Sequence, residues 1–121
     1  MSEQKDSLNV LRDQLRVFVA ERDWAQFHTP KNLASALSVE AAELLEPFQW
    51  LATGNLSELS ADVQTNIRHE MADVLNYLIM LADKLNVDLI SAAEEKIALN
   101  AIKYPAEQVR GKSRKYSEYE Q

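Results

Sequence analysis

Two acidic pairs stand on helical stretches of this chain, and one acid of each occupies a position where a helix would normally bury leucine. The stretch Val39-Glu-Ala-Ala-Glu-Leu-Leu-Glu46 holds Glu40 and Glu43, and Glu70-Met-Ala-Asp-Val-Leu-Asn-Tyr77 holds Glu70 and Asp73. Each pair is spaced i, i+3, so on a helix its two carboxylates sit one above the other on the same face. Leu33, Leu37, Glu40 and Leu44 follow the three-and-four period of a core-facing stripe, and so do Ile67, Glu70, Val74 and Leu78. Glu40 and Glu70 therefore interrupt two stripes that should otherwise pack against neighbouring helices.

Carboxylates turned toward a helix interface must be neutralised, because an unpaired buried charge is far more costly than an exposed one. Two of them ~5 Å apart at an effective dielectric of about 20 repel by roughly 3 kcal/mol. A solvated face is the ordinary fate of an isolated acidic pair. Two pairs that both break apolar stripes, with no matching stripe of Lys or Arg on these helices, point instead to hard divalent cations, which take oxygen ligands.

The rest of the chain restricts the alternatives. Its 121 residues contain only two glycines and three prolines, with 46% hydrophobic and 26% charged residues, which leaves little material for turns and much for long helices. The expectation is an all-α fold, spanning residues 1–121 as one domain. With no cysteine, the chain has no disulfide, thiolate zinc site or cysteine nucleophile. A net charge of −6 argues against a polynucleotide partner. The opening residues are polar and no apolar run reaches the length of a membrane span, so a cytoplasmic protein without membrane contact is expected.

The periodicity predicts a first helix from Asp6 to Arg22 and a loop or short helical turn through Trp24 and His28. A second helix should run from Pro30 to Glu46, with Thr29 as its N-cap. Pro47 ends it, and Thr-Gly-Asn marks the turn in the connection that follows. A third helix should run from Ser60 to Asn86, apolar almost all round from Val74 to Leu85 as in a bundle centre or a subunit contact. A fourth, opened by Asp88 or by a Ser91–Glu94 capping box, should reach Lys103 before Tyr104-Pro105 stops it. Residues 105–121 read as a basic tail.

Other residues suit a phosphate ligand. Arg110, Lys112, Arg114 and Lys115 can meet the outer oxygens of a polyphosphate. Trp24 and Trp50 flank the second helix, and aromatic rings stack on nucleobases, although a tryptophan in a small bundle is ordinarily core. His69 adjoins Glu70 but points about 100° away around the helix, which makes it a poor co-ligand. Neither Glu43 nor Glu70 has the His at i+3 that di-iron carboxylate bundles use, so an all-oxygen site for Mg²⁺, with Mn²⁺ as the alternative, is expected. The sequence shows no Walker-type loop, nucleophile elbow or zincin His pair. Metal-assisted hydrolysis of a phosphate ester or anhydride remains.

These motifs resemble the all-α nucleoside triphosphate pyrophosphohydrolases, the MazG-like group. Glu-Arg-Asp-Trp24-x-Gln-Phe-His28, Phe48-Gln-Trp50, Asp73-Val-Leu-x-Tyr77, Lys103-Tyr104-Pro105 and Arg114-Lys-Tyr116 are similar to its dCTP-hydrolysing branch over nearly the whole chain. The resemblance implies a four-helix-bundle core assembled as a homotetramer, a dimer of dimers, that converts a deoxynucleoside triphosphate, dCTP or a modified dCTP, to monophosphate and pyrophosphate in nucleotide-pool house-cleaning. It implies Glu40, Glu43, Glu70 and Asp73 as metal ligands. Trp24, Trp50 and Tyr77, with His28 of the same motif, are implied around base and sugar, and Lys96, Asn100, Arg110 and Lys115 as polar contacts to sugar or phosphates. Leu15 stands where that branch has a histidine near the base, and Pro47 where it has a leucine.

On this reading water attacks the α-phosphorus and Glu43 takes the proton. Two alternatives stand beside it. One is a non-catalytic helical module stabilised by metal; the other is a phosphoribosyl-ATP pyrophosphohydrolase-like enzyme with the same style of acidic motif.

Overall fold

A computed structural model describes residues 6–111. The described residues are helical, without strands. They form α1 (Ser7–Glu21), α2 (Pro30–Leu45), α3 (Ala61–Leu85), α4 (Leu89–Lys103) and the single turn α5 (Ala106–Val109), with 3-10 turns at Ala25–Phe27 and Leu56–Glu58. The chain divides after Asn86 into two compact units, the first holding α1 to α3 and the second α4 and α5.

Side chains in the sequence set the helix ends of the first unit. The Asp6 carboxylate accepts from the Leu8 amide at 2.9 Å, and Thr29 accepts from the Asn32 amide at 3.1 Å with Pro30 next in line. Ser60 caps α3 through the Val63 amide at 3.3 Å. Asn86 closes α3 in the left-handed region, φ 56° and ψ 43°, a conformation that Asn tolerates better than most residues. The α2–α3 connection is tied by Glu58, whose carboxylate accepts from the Thr53 and Gly54 amides and the Thr53 hydroxyl. Those donors, the Gly54 amide foremost, hold the Glu58 pKa below the usual carboxylate range. Gly54 is obligatory at this turn: its φ is +75°, and a Cβ would stand 2.8 Å from the Phe48 ring.

The main packing surface of the first unit lies between α2 and α3, and α1 lies against α3. Leu33 of α2, 1% exposed, and Ile67, Ile79 and Ala82 of α3 are its buried residues. A bidentate pair joins α1 to α3, Arg16 donating to Asp83 at 2.8 and 2.6 Å. Asp83 is held below the usual carboxylate range, chiefly by that hydrogen bonding.

In the second unit Asp88 is the cap of α4, accepting from the Ser91 amide at 3.0 Å. This settles which of the two expected openings is used. Tyr104 ends α4 as the following proline requires, but the residues after it begin with α5 and are not tail throughout. The proline spacing had hidden that turn.

Leu33→Ala should lower the unfolding free energy by about 2 to 5 kcal/mol, the cost of a core truncation at a fully packed site. Urea denaturation followed by circular dichroism measures it.

Candidate active site

The site grows from the seam between α2 and α3. Leu33 anchors α2 in the core, and Glu40 returns to the same side of the helix two turns later, half-buried like Leu37 and Leu44 on its stripe. Ile67 does the same for α3, and Glu70 follows it, also half-buried. Glu43 lies one turn beyond Glu40. One carboxylate oxygen from each of Glu40, Glu43 and Glu70 lies within 4.8 Å of the other two.

The electrostatics follow from this crowding. Oε2 of Glu40 and Oε2 of Glu70 are sealed from solvent with no hydrogen-bond partner. Burial pushes the Glu40 carboxyl up to about 7, with further upward pressure from Glu43, Asp73 and Glu70. Burial also raises Glu70, followed by the charges of Glu43 and Asp73. Asp73 is exposed and stands outside the three converging oxygens, although its charge acts on both buried neighbours. The ion pairs Arg12–Asp13 and Arg16–Asp83 lie elsewhere and do not relieve these acids. Three clustered carboxylates with two orphaned, sealed oxygens fit a hard divalent cation, which binds oxygen donors only.

Asp73 also opens onto a cleft of about 420 Å³ between α1 and α3. Asp73, Asn76, Tyr77 and Met80 are spaced i, i+3, i+4 and i+7, so one face of α3 supplies one wall. Leu11, Gln14, Leu15, Phe18 and Val19 of α1 supply the other, and Trp24 and His28 complete the lining. Trp24 is 44% exposed and rests edge-on against Phe18, ring centroids 5.8 Å apart at 74°, while the Arg22 guanidinium covers Phe18 at 3.7 Å. The cleft thus carries one acid, Asp73, one exposed indole and an otherwise largely apolar lining.

Of the residues singled out in the sequence, Trp24, His28, Tyr77 and Asp73 meet in this cleft, and Leu15 lines it too. Trp50 does not: it is 88% exposed in the turns after α2, so neither tryptophan is a core residue. Pro47 stands half-buried in the same turns. In the second unit Lys96 and Asn100 are exposed on α4, and Arg110 is exposed just past α5. Lys112, Arg114 and Lys115 lie outside the described residues. Sequence reasoning passed over Gln14 and Asn76. The signal for Asn76 was present, a lone amide in the apolar run from Val74 to Leu81, one turn on from Asp73.

Comparison with known proteins agrees with this geometry. The sequence pattern of the MazG-like family matches residues 35–119. Human dCTP pyrophosphatase 1 is 45% identical over 103 residues, 84% of this chain and 61% of that protein, and the rat protein of the same name is 40% identical over the same shares. The chain therefore spans about three fifths of the length of these relatives. The crystal structure of a pyrophosphatase from Archaeoglobus fulgidus superposes with a TM-score of 0.78 at 39% identity, covering 87% of this chain and 98% of that one.

The raised carboxyls make stability depend on pH in a defined direction. A carboxyl whose folded pKa lies above its unfolded value near 4.5 stabilises the fold fully below 4.5 and loses that contribution as pH rises through about 7. The metal-free protein should therefore melt at progressively lower temperature as pH rises from about 4.5 past 7. Millimolar Mg²⁺ should reverse much of the loss at pH 8, and Glu40→Gln should flatten the slope. Differential scanning fluorimetry across pH, with and without Mg²⁺, reads all three.

Proposed function

The chain belongs to the MazG-like family, and on that premise we propose that it is a nucleotide pyrophosphohydrolase, converting a deoxynucleoside triphosphate to its monophosphate and pyrophosphate. One observation carries the reading: the cluster of Glu40, Glu43 and Glu70 joins, through Asp73, a cleft lined by Trp24 and Tyr77. A triphosphate needs a cation at one end and its base an aromatic surface at the other. Asp73 and both aromatic residues line the one cleft, which supports that reading. The names of the human and rat relatives favour dCTP or a modified dCTP as substrate. The role that goes with it is removal of unwanted nucleotides from the cytoplasmic pool.

We assign Glu40, Glu43, Glu70 and Asp73 as the residues that hold Mg²⁺, with Mn²⁺ able to replace it. When bound, the ion neutralises the crowded acids and the triphosphate and polarises the phosphorus–oxygen bonds. Glu43 takes the proton of a water that attacks the α-phosphorus. The bond from that phosphorus to the bridging oxygen breaks, and pyrophosphate leaves with the electron pair. Trp24, steadied by Phe18, and Tyr77 orient the nucleoside, so positioning and charge neutralisation do most of the work. Trp50, His28, Lys96, Asn100, Arg110, Lys112, Arg114 and Lys115 complete the assignment as substrate contacts, on the family resemblance.

We further propose a homotetramer. Trp50, Leu56 and Leu45 are large apolar side chains at least 60% exposed in the first unit. Exposed apolar surface of that kind is characteristic of a subunit contact. In this assembly residues 1–121 act as one domain.

Glu43→Gln and Asp73→Asn should each lower Mg²⁺-dependent pyrophosphate release by roughly 100-fold or more, a typical loss for a positioned proton acceptor or ligand, while the helical spectrum and oligomer size persist. Retained activity in both variants would sink the assignment. No release from any of the four dNTPs or from 5-methyl-dCTP would favour a non-catalytic module. Sedimentation equilibrium of the wild type should return four times the chain mass.

A further inference from the structure

Two carboxamides in the cleft have no role in the chemistry above. Gln14 of α1 and the half-buried Asn76 of α3 both line it, among Leu11, Leu15, Phe18 and Met80. Other side-chain amides of the first unit are tied to the chain near them: Gln26 donates to Asp23, Asn32 to the Phe27 carbonyl, and Gln64 to the Leu59 carbonyl. Gln14 and Asn76 make no such bond among the described residues. Gln14 is exposed and Asn76 half-buried on the walls of the cleft, so both amides are open to pairing with a ligand that enters it. Asn76 moreover shares its helix face with Asp73 and Tyr77, so it looks into the space where the nucleoside of the proposed reaction would lie.

Resting on that reading of the site, we infer that Asn76, with Gln14 across the cleft, reads the hydrogen-bonding edge of the nucleobase, and that the site accepts both 4-amino and 4-oxo pyrimidines. A carboxamide carries one acceptor oxygen and one NH₂ donor side by side. Cytosine presents an amino donor beside the N3 acceptor; thymine and uracil present the O4 acceptor beside the N3–H donor. Rotating the amide by half a turn exchanges its two atoms with almost no change of shape, so either pattern can be met. A site with fixed polarity behaves differently: its buried group is left unpaired by the wrong base, and rejection can then reach about 10⁴-fold or more. Leu15 adds no polar group that would restore such a preference.

Substitution of the Asn76 amide by a carboxylate makes that position acceptor-only, which suits the amino group of cytosine and opposes O4 of thymine, while Gln14 is unchanged. The experiment is isothermal calorimetry with the α,β-methylene analogues of dCTP and dTTP in Mg²⁺, on the wild type and on Asn76→Asp, beside a pyrophosphate assay with the parent nucleotides. The two wild-type Kd values should agree within about tenfold, and Asn76→Asp should move their ratio toward dCTP by about tenfold or more. A purely structural role for Asn76 would weaken both ligands and leave the ratio alone. A wild-type preference well beyond tenfold, a ratio unmoved in the variant, or binding of neither analogue overturns the inference. Binding with the expected ratios but no pyrophosphate release overturns the hydrolase reading alone.

Discussion

The structure of the first unit depends on an unresolved electrostatic conflict at the α2–α3 seam. Leu33 and Ile67 bury themselves there, and the helical period that makes them core residues also returns Glu40 and Glu70 to the same seam. Packing therefore fixes the acids in place whether or not their charges are matched. The consequence is visible in the raised pKa of Glu40 and in the two sealed oxygens without partners. A chain selected for stability alone would carry leucine at both positions. On the proposed reading the acids are retained at that cost to hold an ion site ready, since a cation would relieve a strain that is already present.

The seam would be chemically blind without the cleft beside it, and α3 connects the two. Its one face gives Glu70 and Asp73 to the acids and Asn76, Tyr77 and Met80 to the wall. The opposite wall is α1, which bears no acid of the cluster. Its contribution is placement: the Arg16–Asp83 fork holds α1 on α3, and Phe18 props Trp24. Both ends of that fork are far along the sequence from each other, so the cleft is a product of tertiary packing. The acidic pairs, by contrast, are nearly local.

That difference explains what could be read from the sequence. Helix starts at Thr29-Pro30 and Ser60 and the stop at Asn86 follow from caps and left-handed tolerance, which act over one turn, and they fall where spacing places them. The stripe positions of Glu40 and Glu70 are equally local. Legibility fails where two elements must meet. Gln14 is unremarkable on an amphipathic helix and acquires meaning only when α3 faces it across the cleft. Trp50 shows the reverse: composition suggests core, yet the turns after Pro47 leave it exposed. The short α5 escaped because a proline that stops one helix can also begin the next.

The exposure of Trp50 bears on stability as well as on recognition. Among the described residues four apolar side chains are buried, Leu33, Ile67, Ile79 and Ala82, while Trp50, Leu56, Phe27 and Met71 are more than half exposed. A chain of this length ordinarily gains its stability by removing such side chains from water. If further copies of the chain cover them, as in the proposed tetramer, folding and assembly become one equilibrium. The acids then sit in a seam whose rigidity is reinforced from outside the chain. The proposed ion site needs that rigidity: in a looser seam Glu40 and Glu70 would swing into solvent, their pKa values would fall back, and the stored repulsion that would favour a cation would be lost.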